Sequence, residues 1–118
     1  MPVERRLLGE FEQMIVAAVL RLGADAYGVT IIEDIARHAG RRVRSGALSV
    51  TLDRMERKGL LRSRAGGSAG DAGDPPDARG GHPRRYIELT PAGLAAARDA
   101  RSALLAMWKD LDGVYEGS

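Results

Sequence analysis

The chain has 118 residues, 44% hydrophobic but only 4% aromatic, with no cysteine and a formal net charge of +2. That length suits a single domain with one aliphatic, alanine-rich core, and the lack of cysteine excludes a disulfide framework or a thiolate metal site. No uncharged apolar run approaches the roughly 18 residues of a membrane span, and early charges at Glu4, Arg5, Arg6, Glu10 and Glu12 leave no signal peptide visible, so a soluble, cytoplasmic protein without membrane contact is expected.

The first helix falls in RRLLGEFEQMIVAAVLRLG, where Leu7, Phe11, Met14, Ile15, Ala18 and Leu22 recur at steps of three and four before Gly23. A shorter second helix follows in DAYGVTIIEDIARHAG, with Ile31, Ile32, Ile35, Ala36 and Ala39 on its apolar side and Gly40 as its stop. The third lies in RRVRSGALSVTLDRMERKG. Ser45 is its expected N-cap, Leu48, Leu52 and Met55 form the inward stripe, and Gly59 closes it. Positions 49, 50, 53, 54 and 57 face away from that stripe.

After the third helix the period changes. LLRSRA (60–65) reads as a short strand and RRYIEL (84–89) as a second, with Tyr86 and Glu88 on the face opposite Ile87 and Leu89. Between them, at about 66–83, runs a glycine- and proline-rich loop that includes Asp71, Asp74 and Asp77 and has no means of burying a core. Thr90 is placed to cap a last helix with Pro91 in its first turn. Leu94, Ala97, Arg101, Leu104, Trp108, Leu111 and Tyr115 give that helix a seam of alternating three- and four-residue steps.

The expected fold is therefore mainly α with a small antiparallel β-hairpin. It is a winged helix-turn-helix over residues 1–90, with a long C-terminal helix and tail over 91–118. Charge is distributed unevenly along it. Residues 37–64 hold nine Arg and Lys against Asp53 and Glu56, a net +7, whereas residues 1–36 carry −3 and residues 87–118 carry −2. Such clustering on the second and third helices points to a polyanion. Arg42 and Arg44 sit before the third helix, where phosphate contacts set register. Ser45, Ser49 and Arg54 lie at its start or on its outer face, within reach of base edges. Arg79, His82, Arg84 and Arg85 flank the wing.

Three stretches in order and spacing resemble the PadR-type bacterial transcriptional regulators: YGVTIIEDI, SGALSVTLDRMERKGLL and RGGHPRRYIELTPAG. The match runs from about Leu8 to Leu111. It implies a homodimeric repressor on a roughly palindromic double-stranded DNA operator, with the last helix as the dimerisation arm. Leu94, Arg101, Leu104, Leu105, Trp108, Leu111 and Tyr115 are its expected interface residues. One departure stands out: at position 49 the family commonly has tyrosine, and this chain has Ser49. Some members bind flat hydrophobic compounds between these helices, which makes Trp108 a candidate effector contact.

Other chemistry finds little support. The glycine-rich loop lacks GxxxxGK[ST], His38 and His82 are far apart without cysteine partners, and no Ser/His/Asp set has catalytic spacing. No enzyme, metal or cofactor is expected. The alternatives are a winged-helix protein–protein module without DNA binding and a repressor gated by a small hydrophobic ligand.

Overall fold

The computed structural model describes residues 8–66, 84–111 and 113–114. Its elements run in the expected order: α1 (Glu10–Leu22), a 3-10 turn (Gly23–Asp25), α2 (Gly28–Ala39), α3 (Ser45–Arg57), β1 (Leu61–Ala65), β2 (Arg85–Leu89) and α4 (Pro91–Trp108). The fold is mainly helical with one two-stranded antiparallel sheet, in which Leu61 pairs with Leu89 and Ala65 with Arg85. Ile15, Ile31, Ile35, Leu48, Met55, Leu61 and Ile87 are its largest fully buried side chains, one aliphatic cluster drawn from three helices and both strands.

Each helix end has a local cause. The Gly9 amide donates to Glu12 Oε1 at 2.9 Å and opens α1, and the Tyr27 amide donates to Thr30 Oγ1 at 3.0 Å at the start of α2. Gly40, at φ 67, ends α2 in the left-handed region. In the following turn only Val43 is buried, so Arg41, Arg42 and Arg44 stay outside. Gly59, at φ 79, closes α3. There the Gly59 amide donates to the Glu56 carbonyl at 2.9 Å and that of Leu60 to Met55 at 3.0 Å, a Schellman end that aims the chain into β1.

Three local expectations need correction. Ser45 is the first residue of α3, not its cap. Arg44 holds the extended N-cap backbone and its carbonyl takes the Leu48 amide at 3.0 Å. In α2, Ala36 and Ala39 are exposed whereas Asp34 is buried, because Arg21 of α1 supplies its charge partner. Tyr86 and Ile87 are both buried, which breaks the expected alternation. The second edge of β2 meets the 26–27 segment: Tyr86 bridges to Tyr27 and the Ile87 amide donates to the Ala26 carbonyl at 2.8 Å.

The wing returns into α4 through a tight joint. Thr90 Oγ1 accepts from the Gly93 amide at 3.0 Å and donates to the Gly59 carbonyl at 2.6 Å. Gly93 lies so close to the Leu60 carbonyl that a Cβ there would overlap it.

Candidate nucleic-acid interface

The basic side chains from the end of α2 to β1 fall into two states. Some are held by the fold. Arg41 stacks 4.9 Å over the Phe11 ring and approaches Glu10 at 3.4 Å. Arg54 and Lys58 lie 4.0 and 3.8 Å from Glu12 of α1, and Arg62 and Arg64 lie 3.3 and 3.6 Å from Glu88. Among the described residues, Arg37, Arg42, Arg44 and Arg57 have no ion pair or hydrogen-bonded partner for their guanidinium groups. The cluster thus divides into cations that brace the fold and cations left on the surface. Three of the unpaired ones bracket α3, with Arg42 and Arg44 before it and Arg57 at its last turn.

The buried side of α3 comprises Leu48, Thr51, Leu52 and Met55. With 3.6 residues per turn, the opposite line passes through Gly46, Val50, Asp53 and Arg57, all exposed. Ser49 and Arg54 are exposed on either flank of that line. At its start the helix has no side-chain cap, so the first amides, at the positive end of the helix dipole, face outward beside Arg42 and Arg44.

The wing root is locked onto this helix. Arg85 Nη1 lies 2.9 Å from Asp53 Oδ1, and its Nη2 lies 2.8 Å from Glu56 Oε1. Glu56 also accepts from Ser63 Oγ at 2.9 Å, and the hydrogen bonds from Arg85 and Ser63 hold its carboxyl below the usual carboxylate range. Beside it, the rings of Tyr27 and Tyr86 meet edge to face at 5.3 Å. Arg64 lies 4.8 Å over Tyr86 and Arg84 4.5 Å over Tyr27. Tyr27 is thus a packed aromatic at a helix start.

The sequence-expected residues Arg42, Arg44, Ser45, Ser49, Arg54, Arg84 and Arg85 fall along the turn, α3 and the wing root. Arg79, His82 and the wing-tip acids lie outside the described residues. Val50 and Arg57 were placed on the outward side of α3 by helical phase but were not among the expected DNA contacts. The Arg85 clamp joins positions about thirty residues apart, so no local pattern announces it. Among the described residues, no group of three or more His, Cys, Asp or Glu is arranged to hold a metal.

No family model and no curated protein matches the chain. Solved structures do. A PadR family transcription regulator from Clostridium difficile matches 91% of this chain and 99% of its own, with a TM-score of 0.67 and 21% identity. A PadR-like transcription factor from Bacteroides fragilis is 27% identical, with a TM-score of 0.55 over 91% of this chain and 87% of that one. The chain has a PadR-type fold. A third match, BpsR of Bordetella bronchiseptica, has DNA binding that is regulated by 6-hydroxynicotinic acid; it covers 97% of this chain and 74% of its own at 15% identity and a TM-score of 0.57.

Beyond the PadR-type core, α4 carries an apolar surface. Gly93 and Ala100 are its buried residues, and Ala96 and Ala97 pack against the same cluster. Farther along, Leu104, Leu105, Met107 and Trp108 are 49–74% exposed; the helix ends at Trp108, so Leu111, expected on the same helical seam, lies past its end and is 40% exposed. A helix of 18 residues is about 27 Å long, and its second half projects past the core that its first half covers. Arg101 is exposed beside this surface and Leu94 is half-buried, while Tyr115 lies outside the described residues. Leu104 and Trp108 form one wall of an open groove of about 650 Å³, and Leu8, Glu10, Gln13, Met14 and Ala17 form the other. No helix among the described residues is long and apolar enough to cross a membrane.

Proposed function

We propose that the protein is a cytoplasmic, sequence-specific DNA-binding transcription regulator of PadR type, without enzymatic activity. It is read as a homodimeric repressor on a roughly palindromic operator. The carrying observation is the set of arginines Arg42, Arg44 and Arg57, without partners among the described residues, around the exposed face of α3. A protein-interaction module need not concentrate such charges, whereas a DNA reader gains from them, because they neutralise phosphates and release the polyanion's counterions.

In this reading residues 1–90 form the DNA-reading part. Arg42 and Arg44, with the first amides of α3, meet phosphate and set the register. The line from Gly46 to Arg57, flanked by Ser49 and Arg54, enters the major groove. The wing, held at its root by Arg85 and carrying Arg84, Arg79 and His82, runs along the backbone. Residues 91–118 form the dimerisation arm. An apolar face exposed over Leu104, Leu105, Met107, Trp108 and Leu111 costs free energy in water, and a second copy covers it. Leu94, which is half-buried, Arg101, which is exposed, and Tyr115, outside the described residues, would extend that interface.

A second reading keeps DNA binding and adds a small hydrophobic effector. It rests on Trp108 at the edge of the α1–α4 groove and on the regulation of BpsR by a small aromatic acid. Quenching of the sole tryptophan by candidate compounds tests it.

The deciding experiment is fluorescence anisotropy with the duplex upstream of the protein's own gene and a scrambled duplex, at several salt concentrations. Tight binding to the native duplex, a steep salt slope and a clear margin over the scramble are expected. Equal, weak binding to both, repeated with duplexes from the rest of the genome, would favour the protein-interaction module.

A further inference from the structure

The outward line of α3 contains one side chain that charge does not explain. Val50 is 60% exposed and is the one large apolar side chain that α3 presents to solvent. Valine forms helix less readily than alanine, leucine or lysine, because its branched β-carbon loses rotamer freedom against the preceding turn. An exposed mid-helix position therefore gains nothing from it locally. Its neighbours define what could approach. Gly46, one turn before, has open space where a Cβ would stand, so the helix is slim there. Arg57 lies two turns beyond, and Arg42 and Arg44 precede the helix, all without partners among the described residues. Asp53, the acid on the same line, is tied to Arg85 at 2.9 Å. The surface that fits this line is polyanionic and offers a small apolar group at its centre. On the base edges of the DNA major groove that group is the 5-methyl of thymine.

Resting on the DNA-binding reading above, we propose that Val50 is a specificity-determining residue that packs on a thymine methyl in each half-site. The charged residues around it hold the helix in the groove, and Val50 selects the base pair at its centre.

The test uses the full chain and a duplex enriched from a random pool by repeated binding. Each thymine of that duplex is replaced in turn by deoxyuridine, which removes the methyl and leaves every hydrogen-bonding group in place. At one thymine of each half-site, wild-type affinity should fall about four-fold per methyl, the factor for one buried methyl-sized group. Val50→Ala should bind the parent duplex more weakly and show no further loss from that same uracil, with its responses elsewhere unchanged. Because Val50 is exposed, the variant should keep its helical circular dichroism, which is checked first. A flat deoxyuridine scan, or the same sensitive thymine in Val50→Ala, overturns the role of Val50 while leaving DNA recognition intact. Failure of any duplex to enrich overturns the DNA-binding reading and this inference together.

Discussion

Arg85 of β2 grips two carboxylates of α3 at once, Asp53 at 2.9 Å and Glu56 at 2.8 Å. The acids stand three residues apart on one helical flank, so a single guanidinium fork spans them. This contact turns a basic wing residue into a brace between wing and third helix, and its single positive charge offsets one of the two negative charges beside the exposed face of α3.

Arg85→Ala is therefore expected to act in two ways. The pairs are partly exposed, so urea unfolding should show a loss of only about 1 kcal/mol or less. DNA affinity should fall further than the lost cation explains, because Asp53 and Glu56 are uncovered. Adding Asp53→Asn should recover part of the binding but none of the stability. A double variant no better than Arg85→Ala in anisotropy would refute the brace.

Arg44→Ala offers the contrasting case. Arg44 is exposed and has no partner among the described residues, so unfolding should be unchanged. Binding should weaken evenly on native and scrambled duplexes, and the salt slope should drop by about 1. A loss confined to the native duplex would instead assign Arg44 to base recognition.

Asp34 gives the fold an acid-sensitive element. Its side chain is only 5% exposed and is clasped by Arg21, with Nη2 to Oδ2 at 2.6 Å. That hydrogen bond, opposed by burial and aided by the charges of Arg21, His38 and Arg37, lowers the carboxyl pKa. A folded-state pKa below the unfolded value of about 3.9 means stability that is present above that value. It is lost as pH falls toward the lower folded value. Asp34→Asn should flatten this acid limb and cost about 2 kcal/mol at neutral pH. Parallel pH–stability curves for the variant and wild type, by thermal unfolding, would assign the acid limb to other groups.

Gly93→Ala should destabilise the protein by about 1–3 kcal/mol, because the new methyl meets the Leu60 carbonyl oxygen and α4 must shift to admit it. An unchanged melting temperature would mean that the joint has more slack than the backbone geometry suggests.

Leu104→Asp should leave the monomer folded, since Leu104 is 49% exposed and lies beyond the core cluster. It should halve the molar mass measured by light scattering if the α4 face joins two copies. An unchanged dimer mass would remove that face from the interface.

Much of the fold was legible because its signals are local. Leu48, Leu52 and Met55 fix the phase of α3 through spacing alone, and Thr90 with Pro91 marks the start of α4 by capping chemistry. What escaped depends on partners distant in sequence. Asp34 is buried because of Arg21, and Tyr86 because of Tyr27, neither visible within a helix or strand window. Thr51 is buried by turning its hydroxyl onto the Ala47 carbonyl at 3.0 Å, so a polar residue sits inside without any apolar signal. At the candidate site, clustered charge was easy to find. Which arginines the fold holds, and which have no partner among the described residues, required three dimensions.

The Thr90–Gly93 joint has a consequence for measurement of DNA itself. Backbone packed against backbone ties the start of α4 closely to the end of α3. In the proposed dimer the two third helices then behave as the jaws of a fixed-gap caliper, set by how two copies of α4 cross. Operators with the right bases but one base pair added between half-sites would turn the second site out of register, and the protein would discriminate them by spacing as well as by sequence.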